Sequence, residues 1–164
     1  DCNYCHSGAR HSKTSGVPSA NVCMNCHTYI SSGTTTGTEE IAKIYTAIGF
    51  DPETRTYIEG YEQQPIEWVR IHNLPDLAYF NHSQHVNVAG VECQKCHGPV
   101  EEMDVVEQHS PLTMGWCVDC HKETKVDMDN PYYHDLNENW VEKYHGEDMT
   151  VDKIGGLECG KCHY

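Results

Sequence analysis

Cys93-Gln94-Lys95-Cys96-His97 and, 24 residues on, Cys117-Val118-Asp119-Cys120-His121 are the stretches on which the reading of this sequence turns. Both have the form C-x-x-C-H. Outward from them the same pattern returns at Cys2-Asn3-Tyr4-Cys5-His6, Cys23-Met24-Asn25-Cys26-His27 and Cys159-Gly160-Lys161-Cys162-His163, so all ten Cys lie in five copies. C-x-x-C-H is the attachment signature of c-type haem. Two thiols separated by two residues reach the two vinyl groups along one porphyrin edge and become thioethers. The adjacent imidazole (His6, His27, His97, His121 or His163) is then held beneath the iron as its proximal ligand.

Disulfides and zinc are the rival readings. Disulfide frameworks are the default for Cys-rich exported chains, but they give no reason for a His after every pair. Zinc is the stronger rival, because the first two pairs enclose 17 residues and the third and fourth enclose 20, within reach of paired C-x-x-C zinc sites. Five pairs, however, do not divide two by two. With His at 12 of 164 positions, chance puts one after all five pairs about twice in a million. The pattern is therefore read as five covalently bound haem c groups. Their thioethers form on reduced thiols outside the cytoplasmic membrane, so the expected location is the periplasmic side of a bacterial inner membrane.

Composition agrees with a fold organised by cofactors. Only 38% of the 164 residues are hydrophobic and two are Phe, a thin supply for a side-chain core, and small domains so placed need a cofactor, metal or cross-link. About 33 residues per haem remain, which predicts mostly loops and a few short α-helices wrapped around five closely packed haems, with little or no β-sheet. The formal charge of −14 argues against nucleic acid, whose phosphates need a basic face. It suits a solvated acidic surface that meets basic partners. No run approaches the roughly 18 apolar residues of a membrane span. The chain opens at Asp1 with a motif already under way, so a leader or N-terminal membrane anchor is expected upstream.

The motifs group as a pair, a gap, a pair and a single. One domain over residues 1–164 is expected: a two-haem module at about 1–30, a helix and linker at about 31–70, a second two-haem module at about 71–125, and a C-terminal helix with the fifth haem at about 126–164. In the gap, Ile41, Ile44, Tyr45 and Ile48 fall at i, i+3, i+4 and i+7, with Thr36 or Thr38 before them and Gly49 after, which predicts a helix. A second helix is expected after Pro131, with Tyr133, Leu136, Trp140 and Tyr144 on one face. Residues 31–36 and 51–60 read as loops.

Sixth ligands determine what such haems do. A second axial side chain closes the iron to substrate and leaves electron transfer, whereas an open position admits small molecules. Seven His lie outside the motifs: His11, His72, His82, His85, His109, His134 and His145. His82 and His85 are the leading candidates, followed by His72. Met103, 14 residues before Cys117, is a thioether candidate for that haem, although a Met also serves as gap-filler against porphyrin. Four candidates for five positions leave a shortfall, met either upstream or by one open haem.

Phe80-Asn81-His82-Ser83-Gln84-His85 resembles the F-x-H-x-x-H element of small multihaem cytochromes. The likeness implies that His82 caps the haem at Cys93/Cys96 and His85 another. Longer blocks extend the resemblance to nearly the whole chain: Asp1–His6, Gly16–His27, Trp68–Asp76, Tyr79–His85, Gly98–Met103, Met114–Cys117 and Ile154–Tyr164. These resemble the pentahaem cytochrome c subunit of bacterial alternative complex III. What that family implies is a periplasmic haem domain with an upstream anchor, whose upstream His cap the first haems. Its expected partners are an iron–sulfur subunit, polytopic quinol-binding subunits, a monohaem cytochrome c and a terminal oxidase. The chain itself would be a relay with no quinol site. A hexahaem quinone reductase subunit is a close cousin.

Two other functions compete. A catalytic multihaem reductase of oxyanions needs an open haem and usually a basic funnel, which suits this acidic chain poorly. A free periplasmic shuttle would resemble the small tetrahaem cytochromes. Hydrolytic chemistry has no support, since all ten Cys are committed and no G-x-S-x-G or phosphate loop is present.

Overall fold

One-turn helices suit a C-x-x-C pair, because residues i and i+3 share a helix face. In the computed structural model, which describes residues 2–128, 130, 131, 133 and 149–163, both cysteines of every motif lie on a helix, of a single turn at three motifs and longer at two. Helix α1 is Cys2–Cys5, α2 Ala20–His27, α3 Glu39–Ile48, α4 Cys93–His97, α5 Met114–Glu123 and α6 Cys159–Cys162. Strands β1 (Phe50–Asp51) and β2 (Thr56–Tyr57) pair antiparallel, Phe50 opposite Tyr57. Tight 3-10 turns cover Ser7–Arg10, Val100–Glu102 and Val151–Ile154, and a π-turn covers Gln84–Val88. The architecture is that expected of a multihaem cytochrome: mostly loop, short helices and a two-stranded sheet. No described helix is long and apolar enough to cross a membrane.

The chain falls into two compact units, Asp1–His6 with Gly16–Arg70, and Ser7–Ser15 with Ile71–Tyr164. The first holds the predicted helix. The N-cap of α3 is Thr38 and its C-cap is Gly49, at φ 68°. Glycine is required there twice over: the conformation is left-handed, and a Cβ would stand 2.2 Å from the Tyr61 ring. Ile41, Tyr45 and Ile48 face inward with Met24 of α2 and Phe50 of β1, and Ala20 and Ile44 pack against them. Burying each large side chain contributes about 1.5–3 kcal/mol. The Tyr45 and Phe50 rings lie 5.3 Å apart, and the Tyr45 hydroxyl donates to the His27 carbonyl at 2.6 Å. That bond ties the core to the end of a motif. The loop expected at 51–60 contains the return strand of a hairpin, since the Thr54 hydroxyl and the Glu53 N–H close a turn on the Asp51 carboxylate.

The second unit is built differently. Its buried side chains among the described residues are Ala9, Ser110 and Val126. Order comes instead from main-chain bonds between distant segments. Val126 N–H donates to Met149 O and Val151 N–H to Thr124 O, which lays the Val151–Ile154 turn along α5. Thr113 caps α5, its hydroxyl accepting from Trp116 N–H at 3.3 Å. The helix expected after Pro131 lies almost wholly outside the described residues, as do His134 and His145.

Candidate haem-binding sites

None of the ten Cys forms a disulfide. Among the described residues no three of His, Cys, Asp and Glu converge as a metal cage. The thiols are exposed or half-buried on their helices, open to a planar group laid against the turn. Cys96 and Cys117 are held above the usual thiol range, first by burial. Neighbouring thiols add to this: Cys120, Cys117 and Cys93 act on Cys96, and Cys162 and Cys120 on Cys117. Three motifs of the second unit thus bring their cysteines close to one another.

The imidazoles provide the sharper test of whether a haem fits. A His that ligates a metal through Nε2 typically donates its Nδ1–H to a carbonyl or carboxylate, which fixes tautomer and ring orientation. His6 Nδ1 bonds Gly16 O at 2.7 Å, His27 bonds Ile30 O at 2.8 Å, His121 bonds Gly156 O at 2.7 Å and His163 bonds Leu77 O at 3.1 Å. Four of the five motif His therefore have Nδ1 engaged and Nε2 left as a ligand. His97 Nδ1 lies 3.2 Å from Nε2 of His72.

Two of the non-motif candidates are prepared in the same way. His82 Nδ1 bonds Lys13 O at 3.0 Å and His85 Nδ1 bonds Asn81 O at 2.8 Å. The element holding them is fastened at both ends of its reach. Asn81 Oδ1 accepts from Ser83 N–H at 3.0 Å and Gln84 N–H at 3.4 Å. His82 N–H and Ser83 N–H donate to Lys13 O and Ser12 O. Tyr79 N–H donates to Cys162 O at 2.7 Å. Phe80 stacks on His85 at 4.3 Å and meets His82 edge-on at 4.8 Å. The π-turn over Gln84–Val88 takes in the second of these histidines, and such bulges concentrate at functional sites.

His85 faces His121. Their ring centres are 6.1 Å apart and their planes 27° from parallel. Two imidazoles sharing a metal ion, each bonded at about 2 Å, stand roughly 6 Å apart, so this couple has the separation an iron between them requires. His85 is also held below the usual imidazole range, first by burial and then by the His121 and His82 charges, against the opposing Asn81 bond. A neutral imidazole is the form that ligates. His72 is lowered too, by burial.

The other candidates are less committed. Met103 closes the Val100–Glu102 turn and is half-buried. Met114 is 72% exposed at the start of α5, and His11 is exposed beyond the first 3-10 turn. His109 lies over Gly98, the C-cap of α4, where a Cβ would stand 2.4 Å from its ring. Sequence reading missed Phe80 and Asn81 as the residues that pack and orient His85. The available signal was an aromatic followed by an N-cap residue immediately before the histidines.

No family model matches the chain. Among curated proteins it is similar to the "Menaquinone reductase, multiheme cytochrome c subunit" of Nitratidesulfovibrio vulgaris, 24% identical over 165 aligned positions. The match takes in 99% of this chain and 60% of the relative, so the chain spans about three fifths of the protein it resembles.

Proposed function

We propose that this chain is an electron-relay subunit of a quinone-linked respiratory complex and carries five haem c groups. The observation that carries the proposal is the common posture of its histidines, with Nδ1 engaged and Nε2 free at four of five C-x-x-C-H motifs and at His82 and His85. When bound, haem c supplies reversible one-electron chemistry.

The chain's own groups do the rest. Cys2/Cys5, Cys23/Cys26, Cys93/Cys96, Cys117/Cys120 and Cys159/Cys162 anchor the groups, and His6, His27, His97, His121 and His163 ligate from the adjacent position. Main-chain carbonyls behind His6, His27, His121 and His163 would hold their rings and raise their basicity. His85, whose ring faces that of His121, would be the second residue to hold that haem, in preference to Met103. A haem held from both sides would transfer electrons rather than bind substrate, which supports an electron-transfer role for the subunit.

The likeness to a menaquinone reductase subunit supports a quinone-linked complex, and the sequence blocks quoted above support one of the alternative complex III type. Its partners would then be an iron–sulfur subunit, polytopic quinol-binding subunits and a monohaem cytochrome c or terminal oxidase. Covalent haem attachment supports the periplasmic side of the inner membrane, and the charge of −14 suits docking to basic partner surfaces.

The test is a pyridine haemochrome assay for haem per protein, with low-temperature electron paramagnetic resonance and optical spectra with and without carbon monoxide, on the full-length protein in its complex. Five low-spin haems and no carbon monoxide binding are expected. A stoichiometric high-spin haem that binds carbon monoxide would replace the relay with a catalytic reductase.

A further inference from the structure

The nitrogens of His85 fix where its imidazole stands, and a separate contact fixes how the ring is turned. Nδ1 donates to Asn81 O at 2.8 Å, and that residue is held in its turn, its side-chain oxygen accepting from Ser83 N–H at 3.0 Å. On the reading above, Nε2 would take the iron. Two held nitrogens define a line through the ring but leave the plane free to rotate about it. Phe80 removes that freedom. Its ring lies face-on to His85, 4.3 Å centre to centre and 26° from parallel. Phe80 is braced as well, meeting His82 edge-on at 4.8 Å and 89°.

The plane so chosen is close to that of His121. The His85 and His121 rings are 27° from parallel with centres 6.1 Å apart, so Phe80, His85 and His121 form a series of nearly aligned rings. Packing alone does not demand this. Aromatic pairs are stable edge-on as well as offset face-on, and Phe80 shows the edge-on form against His82. Ring plane has a consequence where two imidazoles hold one iron. Each donates π density to the d orbital that its plane selects. Parallel planes select the same orbital and split it from its partner, which gives oxidised low-spin iron a rhombic magnetic resonance spectrum. Perpendicular planes leave the two orbitals nearly equal in energy and give a single, strongly anisotropic low-field feature.

We propose that Phe80 is a positioning residue, which sets the plane of His85 near that of His121 and so fixes the electronic state of the haem at Cys117/Cys120. The inference rests on the haem reading above and deepens it. The arrangement suits a relay, because an axial ring that cannot turn rearranges little as an electron arrives or leaves. Packing and hydrogen bonds around a ligand are what hold it in one geometry.

The experiment uses the full-length, haem-loaded protein with its Phe80→Leu, Phe80→Tyr and His85→Ala variants. Peptide mass mapping of attached haem comes first, then carbon monoxide binding and low-temperature electron paramagnetic resonance of oxidised and partly reduced samples. His85→Ala identifies the signal: one low-spin haem should turn high-spin and bind carbon monoxide, and the signal lost should be rhombic. In Phe80→Leu, which has no flat face, that rhombic signal should be lost to a low-field feature while every haem stays closed to carbon monoxide. Phe80→Tyr, which keeps the face, should retain the wild-type signal. An unchanged rhombic signal in Phe80→Leu overturns the proposal. So does a new high-spin haem in Phe80→Leu, which would make Phe80 a residue that keeps His85 on the iron rather than one that sets its plane. Should Phe80→Leu not fold, the signal lost in His85→Ala still decides, since a low-field feature there means planes far from parallel and overturns the proposal. A wild-type Cys117/Cys120 peptide without haem, or a His85→Ala variant with every haem still low-spin, would instead refute the reading on which the proposal rests.

Discussion

Helix α3 and its hairpin bury an interlocking set of large side chains, Met24, Ile41, Tyr45, Ile48 and Phe50. The second unit carries three of the five motifs and more residues, yet buries only Ala9, Ser110 and Val126 among its described side chains. Folding must offset the entropy of ordering each residue, and buried apolar surface is the usual means. The first unit has that means within its own side chains. The second has motifs instead, with thiols crowded together and imidazoles turned outward from carbonyl anchors. The contrast indicates that porphyrin faces supply the apolar surface that the second unit's sequence lacks. On the proposed reading, haem there would be structural as much as functional.

The most severe way to break this contrast is to remove one attachment. Cys117→Ala/Cys120→Ala should collapse the second unit while leaving α3 intact. Hydrogen exchange would show amides around Val126 and Val151 losing at least about 100-fold in protection, close to 3 kcal/mol, with those of Glu39–Ile48 unchanged. Equal loss in both units would mean that they share one source of stability.

The converse substitution is Ile48→Ala, which opens a cavity beside Tyr45 and Phe50. It should cost the first unit about 2–5 kcal/mol, read as a fall in the thermal midpoint of far-ultraviolet circular dichroism. The haem spectra of the second unit should hold. A smaller effect, about 1–2 kcal/mol, is expected for Gly49→Ala, because φ is 68° there and the Tyr61 ring must shift to admit the methyl. Thermal melts of this variant should keep their cooperativity.

The smallest expected effect concerns pH. The Thr54 hydroxyl, and after it the Glu53 N–H, hold the Asp51 carboxyl below the ordinary carboxylate range. A carboxyl with a depressed folded value adds stability that is present above the unfolded value and lost as pH falls through the folded one. The hairpin should therefore loosen only below pH 3.8. In Thr54→Val the Asp51 titration, followed by nuclear magnetic resonance, should move upward toward the ordinary range. No movement would show that the hydroxyl does not set it.

Local patterns proved the most legible. The stripe Ile41, Ile44, Tyr45 and Ile48 with its terminal Gly49 predicts a helix, and Glu39–Ile48 is that helix. The hairpin at Phe50–Tyr57 escaped, because two-residue strands carry no alternation to detect. At the candidate sites, Phe80 and Asn81 were passed over as neighbours of ligands. Their roles depend on how the chain folds back, with Asn81 O behind one imidazole and Phe80 stacked upon it.

By itself the sequence determined where, on the proposed reading, cofactors would attach. Two residues between thiols and a His directly after them set the reach of those atoms, whatever the rest of the chain does. Composition likewise determined that little β-sheet or side-chain core would form. Only the tertiary structure decided which imidazoles meet. His85 stands across from His121, 36 residues on, and His72 lies against His97, 25 residues on. Contacts over such separations require the intervening loops to close, and closure depends on main-chain bonds between distant segments, such as Tyr79 to Cys162 and His82 to Lys13. No local spacing encodes those bonds.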